Sequence, residues 1–388
     1  MEILQIIPYF YPAWSFGGPV RCVYHIVRAL ADKGHHVTVV TTNALDPRND
    51  FKADNQEYSV DGVGVIYCRN IAHFSGLYIS PKMMRELKRL QDYDIIHMHE
   101  YRTFQNVLAY YYAKKCKKPY VITAHGSIPR VVERFLLKEL FDEVIGYKIL
   151  REASKLIALS HFEMKQYIGT GVSKGKVVIV PNGIDTQLID NLPKSGTFKE
   201  KFGLNGDASL ILYVGRIHRR KGISFLLEAF ARLNDPNVVL VIAGSGDGYM
   251  SALREKVTCL KIGRSVKFTG FISERDKLAA YVDSDVVVYP GIYEAFPIVP
   301  LEAALCSRPV IVSDDSVMAE IVTDGGFGFS AEYGDISRLR DLLFAVLKDS
   351  EMAEEMGRKG RHLVKRNYDW KNVVSQLENV YLKVLGPD

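Results

Sequence analysis

The chain has 388 residues, 47% of them apolar and 24% charged, with a formal net charge of +5. That length suits two or three domains with cores of their own, and the composition excludes a disordered, fibrous or strongly acidic chain. No apolar run approaches the roughly 20 residues that cross a bilayer, and the five scattered cysteines set out neither a disulfide framework nor a zinc site, so they read as buried thiols. The basic excess lies in the first 190 residues, in clusters such as Lys114-Lys115-Cys116-Lys117-Lys118 that read as solvated faces, with an anionic membrane surface as the minority reading. No nucleic-acid motif is evident.

The chain opens on Met1-Glu2-Ile3-Leu4, an apolar strand start without the basic region of a signal peptide, which predicts a cytoplasmic protein. Strand-like runs then alternate with helical patterns, the signature of parallel α/β sheets. In the first half the strands fall at 3–8, 36–42, 64–68, 94–99, 119–124, 155–159 and 176–180. Between the first two, a helix over 19–33 places Val20, Val23, Val27 and Leu30 on one face and stops at Gly34. A turn-rich break at Pro181-Asn182-Gly183-Ile184-Asp185 and the polar stretch behind it predict a domain boundary at about 190. The pattern restarts with strands at 209–214, 238–243, 265–269, 286–289 and 309–313. Two α/β domains follow, 1–190 and 191–368, with a last amphipathic helix at about 369–388 packing back on the first.

Ser15-Phe16-Gly17-Gly18-Pro19 lies between the first strand and its helix. Two glycines there let backbone approach a ligand and leave free amides at a helix start, suited to a phosphate, although by themselves they are explained first by a tight turn. His125, where a strand ends against Gly126, is placed to bond a hydroxyl or phosphate, or to be structural. His97 and His99 share one strand face, and at least one of them reads as a satisfied core residue. The second domain opens on Gly215-Arg216-Ile217-His218-Arg219-Arg220-Lys221-Gly222. Arg216 offers a planar fork to phosphate oxygens and Lys221 a point charge, together enough to neutralise a pyrophosphate. Gly244-Ser245-Gly246-Asp247-Gly248 misses the dinucleotide spacing, and Asp283-Ser284-Asp285 lacks further oxygen ligands, so neither a hydride cofactor nor a catalytic metal is expected. Further on, Glu294 sits on a loop after a buried strand, and Pro300 starts a helix that carries Glu302 in its first turn. Two carboxylates so placed can accept from the hydroxyls of a polyol at the carboxyl end of the sheet; the plainer reading is a helix-start acid and an exposed loop acid.

Taken in order, Gly17-Gly18, His125-Gly126, Pro181 to Asp185, Gly215-Arg216 with Lys221-Gly222, and Glu294 with Glu302 resemble the retaining glycosyltransferases of family 4, across nearly the whole chain. The resemblance implies a GT-B fold, α/β with two Rossmann-like parallel-sheet domains facing a central cleft. The first domain would bind the acceptor and the second a nucleotide-sugar donor, UDP-linked by family frequency. Arg216 and Lys221 would hold the diphosphate, Glu302 the ribose hydroxyls and Glu294 the transferred sugar. His125 would stand beside that sugar, Gly17 and Gly18 would close over it, and Phe296 and Ile298 would line the donor loop. Many members carry Gly where this chain has Pro297, which removes one amide that could reach the donor. No cofactor or metal is implied, the nucleotide sugar being a substrate.

For a saccharide or lipid-linked acceptor the hints are Tyr101, Arg102 and Arg130, with Tyr9, Tyr11 and Trp14, on loops after first-domain strands. Segment 131–150 mixes apolar and basic residues; a core-facing helix and a peripheral contact at the inner membrane face both fit it. Two rival functions share the architecture: a nucleotide-sugar epimerase, which needs no acceptor, and a non-catalytic sugar-nucleotide binding subunit.

Overall fold

The computed structural model describes residues 1–52, 57–74, 77–129, 135–246, 248–292, 294 and 296–386. The chain divides into two compact units, Met1–Gly183 with Trp370–Asp388, and Ile184–Asp369. The boundary thus lies upstream of the expected 190, for a packing reason. Gly183 is in contact with the Trp370 ring, so that a Cβ there would come within 2.4 Å of it, while the Ile184 amide already donates to the Tyr368 carbonyl (2.7 Å).

Unit 1 contains β1 (Glu2–Ile6), β2 (His36–Thr42), β3 (Glu57–Val60), β4 (Val63–Cys68), the small hairpin of β5 (Ala72–Phe74) and β6 (Leu77–Ile79), then β7 (Ile95–His99), β8 (Tyr120–Thr123), β9 (Lys155–Ala158) and β10 (Val177–Ile179). The main sheet runs β10-β9-β8-β7-β1-β2-β4-β3, with β3 antiparallel to β4 and the other neighbours parallel. Its central strands β8, β7 and β1 are buried along nearly their whole length, as parallel sheets covered on both faces require. The helix Gly18–Asp32 buries Val20, Val23, Ile26, Val27 and Leu30, a spacing of three and four that makes one continuous stripe. It ends at Lys33, and Gly34 takes the left-handed φ of +86° that turns the chain into β2. Against that stripe packs the helix Trp370–Leu385, through Val373, Val374, Leu377 and Tyr381. Each fully buried aliphatic side chain there contributes about 1.5–3 kcal/mol.

Unit 2 contains β11 (Ser209–Val214), β12 (Val238–Ala243), β13 (Val266–Gly270), β14 (Val286–Tyr289), β15 (Val310–Ser313) and β16 (Gly328–Ala331), all parallel in the order β13-β12-β11-β14-β15-β16. Among the described residues no helix is long and apolar enough to cross a membrane.

Candidate active site

In unit 2 the chain leaves β11 toward β12 and β13 on one side, and leaves β14 toward β15 and β16 on the other, although β11 and β14 are hydrogen-bonded neighbours. The loops after these two strands therefore diverge at the carboxyl edge of the sheet and leave a crevice, the position where open α/β sheets bind ligands.

The loop after β11 is held by backbone contacts that exclude side chains. A Cβ on Gly244 would lie 1.8 Å from the Gly215 carbonyl oxygen, and one on Gly246 would lie 2.0 Å from that of Ile217. Gly222, at φ +68°, meets the Pro290 carbonyl oxygen at 2.1 Å in the same sense, which seats the Lys221 turn on the loop after β14. Gly244→Ala, at φ +150°, is expected to destabilise the protein by roughly 3 kcal/mol or more, because backbone, not a flexible side chain, must give way. Urea unfolding checks this; an unchanged midpoint would show that the two loops can separate freely.

Arg216 is exposed, and its guanidinium has no acidic partner among the described residues. The Lys221 ammonium pairs with Glu294 Oε1 and also donates to the Tyr289 hydroxyl (3.0 Å). Both partners of the pair are largely buried, with side-chain exposures of 18% and 19%. Burial, then the Glu294 carboxylate, pushes the Tyr289 phenol above its ordinary range, so it stays protonated. Glu302 lies in the first turn of the helix Val299–Leu305, where the helix dipole favours a carboxylate. Its Oε1 accepts from Lys277 Nζ (2.8 Å) and its Oε2 from the Tyr281 hydroxyl (2.7 Å). A carboxylate has about four lone-pair directions, so each oxygen keeps one free. Burial disfavours the Lys277 ammonium, but Glu302 and Glu274 outweigh it and raise its pKa, so the positioning charge persists at neutral pH. Phe296 is buried beside Tyr368, with ring centroids 6.2 Å apart, and the Ile298 carbonyl accepts from the Leu301 and Glu302 amides (both 3.0 Å) as the helix begins. These two residues set the loop's path through packing and backbone bonds.

In unit 1, Gly17 takes φ +83° and Gly18 opens the helix Gly18–Asp32; a Cβ on either would meet nothing within 4 Å, so both face open space. Ahead of them Tyr9 stacks on Phe16 (3.9 Å) and donates to Glu100 Oε1 (3.3 Å), which fixes the turn and leaves Tyr9 no free face on that side. His125 takes φ +51°, a left-handed backbone that is uncommon for a side-chain-bearing residue. It is stabilised from behind: Glu163 accepts from the Gly126 amide (2.6 Å) and from the Leu159 amide (2.7 Å). The imidazole of His125 contacts His99 Nδ1 through Nε2 (3.0 Å).

Tyr101 and Arg102, expected to touch an acceptor, are committed elsewhere. Tyr101 is 1% exposed, and Arg102 donates to both oxygens of Asp142 (2.8 Å each) and to the carbonyls of Ser127 (2.5 Å) and Ile128 (2.8 Å). That clamp uses the guanidinium to hold the loop after β8. Arg130 lies outside the described residues. Trp14, with Arg21 over its ring at 5.5 Å, is 36% exposed, whereas Cys259 is exposed and not the buried thiol expected. Asp283 accepts from the amides of Gly196 (2.6 Å), Phe198 (2.8 Å) and Lys199 (3.0 Å), and Asp285 from Leu210 (2.6 Å), so this acidic pair is structural.

Sequence reasoning did not single out Lys277, Tyr281 or Glu100. Lys277 and Tyr281 are four residues apart on the helix Glu274–Asp283, and hence on one face, a spacing that could have paired them. Glu100 follows His97-Met98-His99 directly and sits at φ +67°; burial pushes its carboxyl up to about 7, as it does that of Glu163.

These groups set a pH dependence. His97, His99 and His125 are held neutral by burial, first of all, with folded pKa values below the ordinary 6.5 and about 4 for His125. Depressed histidine values mean stability is present above about 6.5 and drains as pH falls. The two raised glutamates act oppositely, favouring the fold at low pH and losing that contribution as pH rises through about 7. Below about 6.5 the three histidines outnumber the two glutamates, so the net effect is a loss of stability as pH falls. Denaturation midpoints from pH 5 to 8 are expected to peak near 6.5; a steady rise to pH 8 would contradict the assignment.

Two parallel-sheet units, one with cations and positioned carboxylates at its switch point, define an α/β protein of the GT-B class. The family model described as glycosyl transferases group 1 matches residues 194–363, and that described as glycosyltransferase family 4 matches residues 16–188. The chain belongs to the family 4 glycosyltransferases and is an enzyme of that class. It is 28% identical to glycogen synthase of Mycobacterium tuberculosis over 98% of this chain and 94% of that one. It is 26% identical to phosphatidyl-myo-inositol mannosyltransferase of Mycobacterium leprae, covering 98% of this chain and 96% of the other. Among solved structures, Anabaena HepE in complex with UDP superposes with a TM-score of 0.78 at 19% identity, over 98% of this chain and 99% of that one.

Proposed function

We propose that this glycosyltransferase moves a sugar from a UDP-sugar to a hydroxyl of a saccharide or lipid-linked glycan, with retained anomeric configuration and without a metal. The observation that carries the reading is the arrangement at the carboxyl edge of β11 and β14: Arg216 without an acidic partner among the described residues, Lys221 held on Glu294, and Glu302 fixed from behind by Lys277 and Tyr281. The two free lone pairs of Glu302 match the two hydroxyls of a ribose. Arg216 can grip diphosphate oxygens bidentately and Lys221 adds a point charge. Breaking the bond from the sugar C1 to the diphosphate oxygen builds negative charge on the leaving group and positive charge on the ring. Arg216 and Lys221 stabilise the first and Glu294 the second. The acceptor oxygen bonds to C1 on the face the diphosphate leaves, and its proton passes to a diphosphate oxygen, so no side chain acts as a strong base. In unit 1, His125 serves a hydroxyl of the transferred sugar, and Gly17 and Gly18 leave room for substrate at a helix start. The crystallisation of HepE with UDP supports the nucleotide.

A membrane-held acceptor is supported by the helix Phe135–Phe141 and the π-helical segment Asp142–Gly146 after it, which leave Leu136 (77%), Leu137 (60%), Leu140 (61%) and Val144 (69%) exposed. Such a patch suits peripheral contact at the inner face of a membrane. The test of the reading is incubation of the protein with UDP-glucose or UDP-galactose, a saccharide acceptor and a chelator, with the product anomer read by NMR. Retained product in chelator is expected. An inverted product, a divalent-ion requirement, or sugar interconversion without acceptor would each overturn it, the last in favour of an epimerase.

A further inference from the structure

Behind His125 lies an unbroken chain of buried hydrogen-bonding side chains. His125 Nε2 meets His99 Nδ1 at 3.0 Å, and His99 Nε2 meets Gln5 Oε1 at 2.7 Å. Gln5 Nε2 donates to the Tyr381 hydroxyl (3.2 Å), whose oxygen lies 2.6 Å from His97 Nδ1, and His97 Nε2 lies 2.8 Å from Thr123 Oγ1. Gln5, His97, His99 and Tyr381 are each no more than 1% exposed. The members come from β1, β7, β8, the turn after β8 and the helix Trp370–Leu385, all within unit 1.

The proton positions follow from chemistry, one link at a time. An amide oxygen only accepts, so His99 Nε2 carries hydrogen toward Gln5 Oε1. Burial and the neighbouring imidazoles keep His99 neutral, so its Nδ1 is a bare lone pair. His125 must then donate from Nε2, and being neutral itself it leaves Nδ1 unprotonated. Along the other arm the Gln5 amide donates to the Tyr381 oxygen, the Tyr381 hydroxyl donates to His97 Nδ1, and His97 Nε2–H donates to Thr123. Every donor meets one acceptor. If the Gln5 amide turned over, each of these bonds would reverse, and His125 would present a hydrogen instead of a lone pair.

We propose that Gln5, held by Tyr381, is a positioning residue: it sets His125 as the Nε2–H tautomer, so that the Nδ1 lone pair accepts from a hydroxyl of the transferred sugar. The proposal rests on the role proposed above for His125 at that sugar. It gives the helix Trp370–Leu385 a task beyond packing, because Tyr381 ties the Gln5 amide into the chain.

Long-range proton–nitrogen NMR of the ¹⁵N-histidine-labelled full chain at pH 7.5, assigned with His125→Gln, reads the tautomer directly. The expected spectrum has protonated Nε2 and bare Nδ1 on both His125 and His99. Protonated Nδ1 on His125 in the wild type overturns the proposal, whatever the variants do. Tyr381→Phe is expected to release the amide, to mix the two His125 tautomers and to lower kcat about tenfold, with KM for the donor changed less than threefold. A Tyr381→Phe protein with one unmixed tautomer and wild-type kcat would also overturn it, since Tyr381 would then hold nothing. Full activity in His125→Gln with the expected wild-type tautomer would instead sink the role of His125 at the sugar, and so separates the two claims.

Discussion

Glu294→Gln is expected to lower transfer from a UDP-sugar by two orders of magnitude or more, while UDP affinity stays within about threefold of wild type. Glutamine keeps the shape of the side chain, and its amide oxygen can still accept from the Lys221 ammonium that meets Glu294 Oε1. What disappears is the negative charge. If that charge sits by the sugar ring, its loss removes stabilisation from the positive charge that develops as the glycosidic bond breaks, and the ground state hardly notices. The effect therefore belongs in kcat, with little in nucleotide binding. UDP release under saturating donor gives kcat, and calorimetry with UDP alone gives affinity. Wild-type turnover in this variant would remove Glu294 from the chemistry.

Lys221→Ala is expected to act on the other quantity, weakening UDP about a hundredfold. The ammonium supplies one charge-assisted contact to the diphosphate, and it also neutralises Glu294 in a site where both side chains are largely buried. Without it, Glu294 faces the incoming diphosphate as a like charge, so the loss exceeds that of one contact. The Tyr289 hydroxyl, which accepts from Lys221 at 3.0 Å, remains protonated and cannot replace a cation. The double variant Lys221→Ala with Glu294→Gln should recover part of the UDP affinity; affinity no better than in Lys221→Ala would show that Glu294 does not oppose the phosphates.

The parallel strands were legible because their positions repeat as short apolar runs bounded by glycine, proline or polar turns. β2, β11, β12 and β14 occupy the expected residues, and Pro300 starts its helix as expected. The edge strand β3 was not legible, since Glu57, Tyr58 and Ser59 are exposed and give no apolar signal. β16, which follows the glycines Gly325 and Gly326, was masked by its turn composition. In unit 2, the exposed or loop-borne Arg216, Lys221 and Glu294 and the helix-start Glu302 could be singled out from the chain as groups with chemistry of their own. The residues that orient them could not. Lys277 and Tyr281 look like an ordinary helix face until Glu302 is brought against them, and Gln5 and Tyr381 are 376 positions apart. Tyr101 and Arg102 failed in the opposite sense: an aromatic and an arginine on a loop resemble a sugar contact, but Asp142 claims the guanidinium in the fold.

The account depends on side-chain cations, and not a divalent ion, holding the diphosphate at the switch point of unit 2. Calorimetric titration of UDP in the presence of chelator, into the wild type and into an Arg216→Ala, Lys221→Ala double variant, tests this most directly. Binding by the wild type that is unchanged when magnesium is restored, and lost in the double variant, is the predicted result. Binding that needs magnesium, or that survives removal of both cations, would contradict it.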